Sequence, residues 1–206
     1  MKEQLTVGSM FAGIGGICLA FRQNGCKIVW ANEIDKYACK TYRLNFGDEY
    51  LIEGDIQKID TKDIPKFDIL TAGFPCQAFS SVGLLEGFND PRGNLFFETA
   101  RVINKIKPRV VFLENVANLV KHDEGRTFDV ILKTLEGLGY YTVYKVMNAK
   151  EYGNIPQQRN RIYIVAFKYK KNVEKFEFPD MLPLTQTAAP ELLWTGGYFC
   201  SVPQAP

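Results

Sequence analysis

Phe74-Pro75-Cys76-Gln77 follows an apolar run, residues 67–73, and opens a glycine-dotted segment that reaches Gly93. A thiol just past a buried strand faces the crevice beyond the sheet, where it can act as a nucleophile. The plainer reading of Cys76 is a small buried hydrophobe. Against it, Pro75 restricts the approach, and Gln77, Ser80, Ser81, Gly83 and Gly87 lie in a long stretch poor in core-forming residues. Long glycine-hinged loops inside a compact domain are more often functional than idle.

Other side chains could serve that thiol. Glu114 and Asn115 end an apolar strand, where a carboxylate is costly without a partner. Arg159 and Arg161, two apart before another apolar strand, share one side of the chain if its alternation begins early. They can pair with Glu114 or reach a phosphate. The plainer alternatives are a helix-capping pair at Glu114-Asn115 and surface arginines.

A second group points to a nucleoside. Phe11-Ala12-Gly13-Ile14-Gly15-Gly16 sits between a strand and a helix, where glycines permit a tight turn and close approach of a ligand. Cys18 stands where a full dinucleotide fingerprint has its last glycine, so a structural turn is the alternative. Glu33 lies twenty residues after Gly13, the spacing at which a carboxylate can accept from ribose hydroxyls. A solvated loop acid or helix cap is the other reading. Asp55 is placed to meet an adenine amino group, and an Asx turn at Gly54-Asp55 explains it equally well. Three loops in series at strand ends favour a nucleoside.

The elements that must hold these residues follow from hydrophobic periodicity. Strands are expected at residues 5–11, 27–31, 50–52, 67–72, 109–113, 141–147 and 162–167, with helices after the first two and at 94–106 and 125–138. Strands alternating with helices imply a doubly wound, largely parallel α/β sheet, with its ligand crevice where the order reverses between the first and fourth strands. From Pro179 onward the chain holds five of its ten prolines, has no Lys or Arg and shows no periodicity. A disordered or non-native tail, 179–206, is therefore expected after a domain spanning 1–178.

Composition excludes several classes. At 206 residues and 46% hydrophobic content the chain can build one sizeable core. It has no apolar run long enough for a membrane helix and no signal-peptide pattern at its start, which favours a cytoplasmic protein. The five cysteines, Cys18, Cys26, Cys39, Cys76 and Cys200, form no C-x-x-C pair, and His122 is the lone histidine; both argue against a metal site or disulfide framework. A net charge of +2 carries no nucleic-acid footprint.

Read together, Phe11-Ala12-Gly13-Ile14-Gly15-Gly16, Asn32-Glu33-Ile34-Asp35, Gly54-Asp55-Ile56, Gly73-Phe74-Pro75-Cys76-Gln77, Glu114-Asn115-Val116 and Gln157-Gln158-Arg159-Asn160-Arg161 resemble the ordered motifs of the DNA (cytosine-5) methyltransferases. The resemblance covers about residues 6–178. One such motif is weak; six in order are specific.

The resemblance implies a Rossmann-like methyltransferase fold and S-adenosylmethionine as cofactor. Phe11, Ala12, Gly13, Gly15 and Gly16 would receive its methionine part, Glu33 the ribose hydroxyls, and Asp55 with Ile56 the adenine. Gly73, Phe74, Pro75 and Leu95 would complete that site. Ile34 departs from the aromatic residue often found there, leaving Phe11, Phe74 and Leu95 to supply apolar contacts. Cys76 would attack C6 of a cytosine flipped out of double-stranded DNA, with the loop 80–93 closing over it. Glu114 would hold N3 and the exocyclic amine, Arg161 would position Glu114 or the base, and Arg159 would favour the thiolate. No metal and no membrane enter this picture.

The family's later motifs and target-recognition domain find no match in this chain. One expectation is therefore the catalytic half of a split restriction-modification enzyme, completed by a second polypeptide carrying that domain. The alternatives are a truncated remnant that only binds cofactor, or a transfer-RNA cytosine-5 methyltransferase, which shares the catalytic motifs.

Overall fold

The computed structural model describes residues 4–75 and 95–185. They divide into two compact units, the first drawn from Met1–Met147 with Asn160–Phe178, the second from Asn148–Arg159 with Pro179–Pro206.

The first unit is built on a seven-stranded sheet in the order β3-β2-β1-β4-β5-β7-β6. The strands are β1 (Thr6–Met10), β2 (Lys27–Glu33), β3 (Leu51–Glu53), β4 (Ile69–Ala72), β5 (Val110–Val116), β6 (Tyr141–Asn148) and β7 (Asn160–Phe167). β1 pairs in parallel with both β2 and β4, so the order reverses beside it, as the periodicity implied. β4 and β5 are also parallel, which sets the end of β5 beside the end of β4. β7 departs from the parallel pattern: it lies between β5 and β6 and pairs antiparallel with β5.

Four helices cover the sheet: α1 (Gly16–Gln23), α2 (Lys36–Phe46), α3 (Leu95–Ile106) and α4 (Arg126–Gly137). The core follows the two-residue alternation of the strands. Val7, Ile28 and Ile69 pack with Cys18, Cys39 and Tyr42 of α1 and α2. Met10, Leu70 and Val111 pack with Phe96 and Ile103 of α3 and with Phe128 and Ile131 of α4. Each helix start has a local cause. Asp35 caps α2, its Oδ1 accepting from the amides of Tyr37 and Ala38 at 2.9 and 2.7 Å. α1 begins on Gly15, whose φ of 93° is open to glycine at little cost.

The second unit contains α5 (Ala149–Tyr152), capped by Asn148, whose side chain accepts from the Lys150 amide at 2.9 Å. The start of the expected tail has defined partners there. The Leu182 amide donates to Glu151 O at 2.7 Å, and Asn154 and Thr185 exchange two hydrogen bonds at 2.7 and 2.8 Å. Residues 186–206, most of that tail, lie outside the described residues. A short α6 (Lys170–Val173) follows β7 in the first unit.

Candidate active site

Glu33, Asp55 and Glu114 lie at or just past the carboxyl ends of β2, β3 and β5. β1 ends at Met10, and the chain turns through Phe11 at a φ of 53°. Left-handed backbone at a bulky residue costs on the order of 1–3 kcal/mol and persists where the surroundings enforce it. Gly13 follows at a φ of 56°. A Cβ built on Gly13 or Gly16 would meet nothing within 4 Å, so this turn presents bare backbone to open space. A Cβ on Gly15 would lie 2.2 Å from the Phe46 ring, so its glycine serves packing as well as the turn.

Glu33, the last residue of β2, is buried. Its Oε2 accepts the Gly13 amide at 2.7 Å, and its Oε1 accepts the amides of Ile34 and Asp35, both at 2.9 Å. A carboxylate offers about four lone-pair positions, so about one remains for a ligand hydroxyl. Next to it the Ile34 side chain is 65% exposed, an apolar surface at the lip of the crevice.

Asn32 is only 1% exposed, and its type and position carry no sequence signal of what it does. Its Nδ2 donates to the carbonyls of Ile52 and Gly54 at 3.0 and 2.9 Å, fixing the turn that follows β3. Asp55 in that turn accepts the Gln57 amide at 3.0 Å, the Asx arrangement weighed as an alternative, and caps a short 3-10 turn, Ile56–Lys58. Its side chain remains partly accessible.

Ile56 and Phe74 belong to the buried core beside the crevice. Ile56 and Phe74 are 2% and 3% exposed, and Phe74 lies 5.5 Å from the Phe96 ring centroid. Phe11 and Leu95 are half-buried at the rim of the same core, and Pro75 is exposed.

The strand pairing accounts for the position of Glu114. Glu114 stands opposite Tyr163 and Val116 opposite Arg161, so Glu114 and Arg161 are diagonal neighbours on one sheet face. Arg161 Nε donates to Glu114 Oε1 at 2.8 Å, and both side chains are 21% exposed. The other oxygen overhangs the end of β4: a Cβ on Gly73 would lie 3.3 Å from Glu114 Oε2. Asn115, buried, donates from Nδ2 to Phe74 O at 2.8 Å while its Oδ1 accepts the Val116 amide at 2.8 Å. This residue is no helix cap; its amide ties the end of β5 to the end of β4.

Cys76 and the loop 80–93 lie outside the described residues. Arg159 belongs to the second unit, where it is exposed and its carbonyl accepts the Ala149 amide at 3.0 Å. His122 sits at a kink before α4, with Nδ1 2.7 Å from Thr127 Oγ1.

The crevice therefore offers open glycine backbone, an acidic acceptor with spare capacity, an exposed aliphatic lip and a second, arginine-held carboxylate at the end of the neighbouring strand. Such a set fits a nucleoside carrying a charged amino-acid tail.

A family model described as C-5 cytosine-specific DNA methylase matches residues 5–193. Among curated relatives, the Type II methyltransferase M.Bsp6I of Bacillus sp. (strain RFL6) is 52% identical over 185 residues, 89% of this chain and 58% of that protein. The Type II methyltransferase M.HhaI of Haemophilus parahaemolyticus is 49% identical over 170 residues, 82% of this chain and 51% of that protein. The chain thus spans about half the length of the curated relatives it matches. Among solved structures, the S. pombe Dnmt2 methyltransferase superposes with a TM-score of 0.64 at 25% identity, covering 82% of this chain and 51% of that one.

Proposed function

Since the chain belongs to the C-5 cytosine-specific DNA methylase family, we propose that it is the catalytic, cofactor-binding part of an enzyme that methylates C5 of cytosine in double-stranded DNA within a restriction-modification system. The observation that carries this reading is Glu114: one oxygen held by Arg161, the other over Gly73, three residues before Cys76 in sequence.

S-adenosylmethionine, when bound, supplies an electrophilic methyl group. Gly13 and Gly16 present bare backbone to its amino-acid end, Glu33 its remaining acceptor position to a ribose hydroxyl, and Asp55 a carboxylate to the adenine amine. Ile34 and Leu95 offer apolar surface.

Cytosine C5 is a poor nucleophile. The Cys76 thiolate forms a bond to C6 of a flipped base, which pushes electron density to C5. Glu114 accepts from the exocyclic amine, and a proton shared between it and N3 offsets the negative charge developing in the ring as Cys76 attacks. Arg161 keeps Glu114 oriented through this step. Loss of the C5 proton after transfer re-forms the double bond as the Cys76 sulfur leaves.

Labelled S-adenosylmethionine tests this with double-stranded DNA against transfer RNA, with and without a second polypeptide carrying a recognition domain. Label is expected in DNA, at cytosine C5, and Cys76→Ser is expected to abolish transfer while still binding cofactor. Equal labelling by Cys76→Ser removes the covalent step. Label confined to transfer RNA replaces the substrate.

A further inference from the structure

The last two residues of β2 each touch both of the loops assigned to the cofactor. Asn32 O accepts the Ala12 amide of the glycine turn at 3.0 Å, while its side chain donates to Ile52 O and Gly54 O. Glu33 O accepts the Gly54 amide at 2.8 Å, while its side chain accepts the Gly13 amide. Backbone and side chain exchange loops from one residue to the next. Both residues are buried, so these bonds compete weakly with water.

We propose that Asn32 and Glu33 form a brace that holds the glycine turn and the Gly54-Asp55 turn in their receiving arrangement before any ligand arrives, making Asn32 a positioning residue and giving Glu33 a duty independent of the ribose. This rests on the reading that the crevice takes S-adenosylmethionine. The chemistry of Glu33 argues for two duties. Its two oxygens receive three backbone N–H groups from both sides, and an amide in its place would turn a donor toward one of those sides. Its remaining acceptor position lets it receive a hydroxyl without releasing Gly13. Asn32 is likewise selected for its donors: an aspartate there would set an acceptor against two carbonyls.

Calorimetric titration of the full chain with S-adenosylhomocysteine and with its 2′,3′-dideoxy analogue separates the duties. If Glu33 served only the ribose, Glu33→Gln would leave the dideoxy analogue's affinity unchanged, and that result overturns the brace. The expected result is a loss of about tenfold on the dideoxy analogue and a larger loss on the hydroxylated ligand. Asn32→Ala is expected to weaken both ligands by a similar factor, about tenfold, leaving the ratio of the two affinities as in wild type.

Amide hydrogen exchange on the ligand-free chain gives an answer that needs no cofactor. Gly13 should exchange at least tenfold faster in Glu33→Gln, and Gly54 in Asn32→Ala, while Leu70 and Val111 in the sheet centre stay protected. Unchanged exchange at Gly13 and Gly54 overturns the brace. Failure of the wild-type chain to bind S-adenosylhomocysteine removes the cofactor reading instead, and the exchange measurement then decides the brace alone.

Discussion

At the carboxyl edge of the sheet, Asn32, Glu33 and Asn115 are buried and turn their side chains to the backbone of adjoining loops. At the amino edge, polar side chains tie strand starts to one another. Asp68 Oδ2 accepts both the amide and the hydroxyl of Thr6 at 2.9 and 2.8 Å, and Arg109 lies 3.6 Å from its other oxygen. Tyr140 donates to Pro108 O at 2.7 Å beneath the start of β5. Both edges pair polar groups that are at least partly withdrawn from water. They differ in what moves when a bond is lost: at one edge a loop facing the crevice, at the other only the closure of the fold.

The sharpest way to break this contrast is to compare Glu114→Gln with Asp68→Asn. Glu114→Gln should lower methyl transfer by roughly a hundredfold or more with the melting temperature nearly unchanged. Asp68→Asn should leave the rate per folded molecule as it was. An equal fall in rate for both variants would mean that the edges are coupled.

A smaller effect separates two glycines. Gly15, at the carboxyl edge, combines a φ of 93° with a Cβ path only 2.2 Å from the Phe46 ring, whereas Gly25, ahead of β2, has a φ of 82° and open space. Urea unfolding should show Gly15→Ala destabilised by about 3 kcal/mol, from backbone and overpacking together, and Gly25→Ala by about 1 kcal/mol, from backbone alone. Equal losses would show that the Phe46 ring yields without cost.

The smallest effect concerns acid. Burial pushes the Asp68 carboxyl up, but the Thr6 amide and hydroxyl, with Arg109, outweigh it and hold the group below its ordinary value. A carboxylate depressed in the folded state stabilises fully above its unfolded value, about 3.9, and that contribution is lost as pH falls through the folded value. Stability measured from pH 6 downward should therefore fall less steeply for Asp68→Asn than for wild type once pH drops below about 4. Identical slopes would remove the amino-edge tie from the account of stability.

Much of the fold was readable because its signals are local. The glycine turn, the Asp35 cap and the apolar runs placed every strand within a few residues, although β5 extends to Val116 and β7 begins at Asn160. The places of Glu33 and Glu114 near strand ends were readable because each closes an apolar run. Asn32 and Asn115 gave no such signal, because a buried amide declares its role only through carbonyls contributed by distant segments. The burial of Ile56 and Phe74 in the core was likewise decided by packing between distant segments.

The order of strands and helices, the glycine turn and the positions of its carboxylates were fixed by the chain's own pattern, since periodicity, capping and φ preference act between near neighbours. The partnership of Glu114 with Arg161 was decided only in three dimensions. β7 runs antiparallel beside β5 in one register, and a shift of a single residue would turn Arg161 to the opposite face of the sheet.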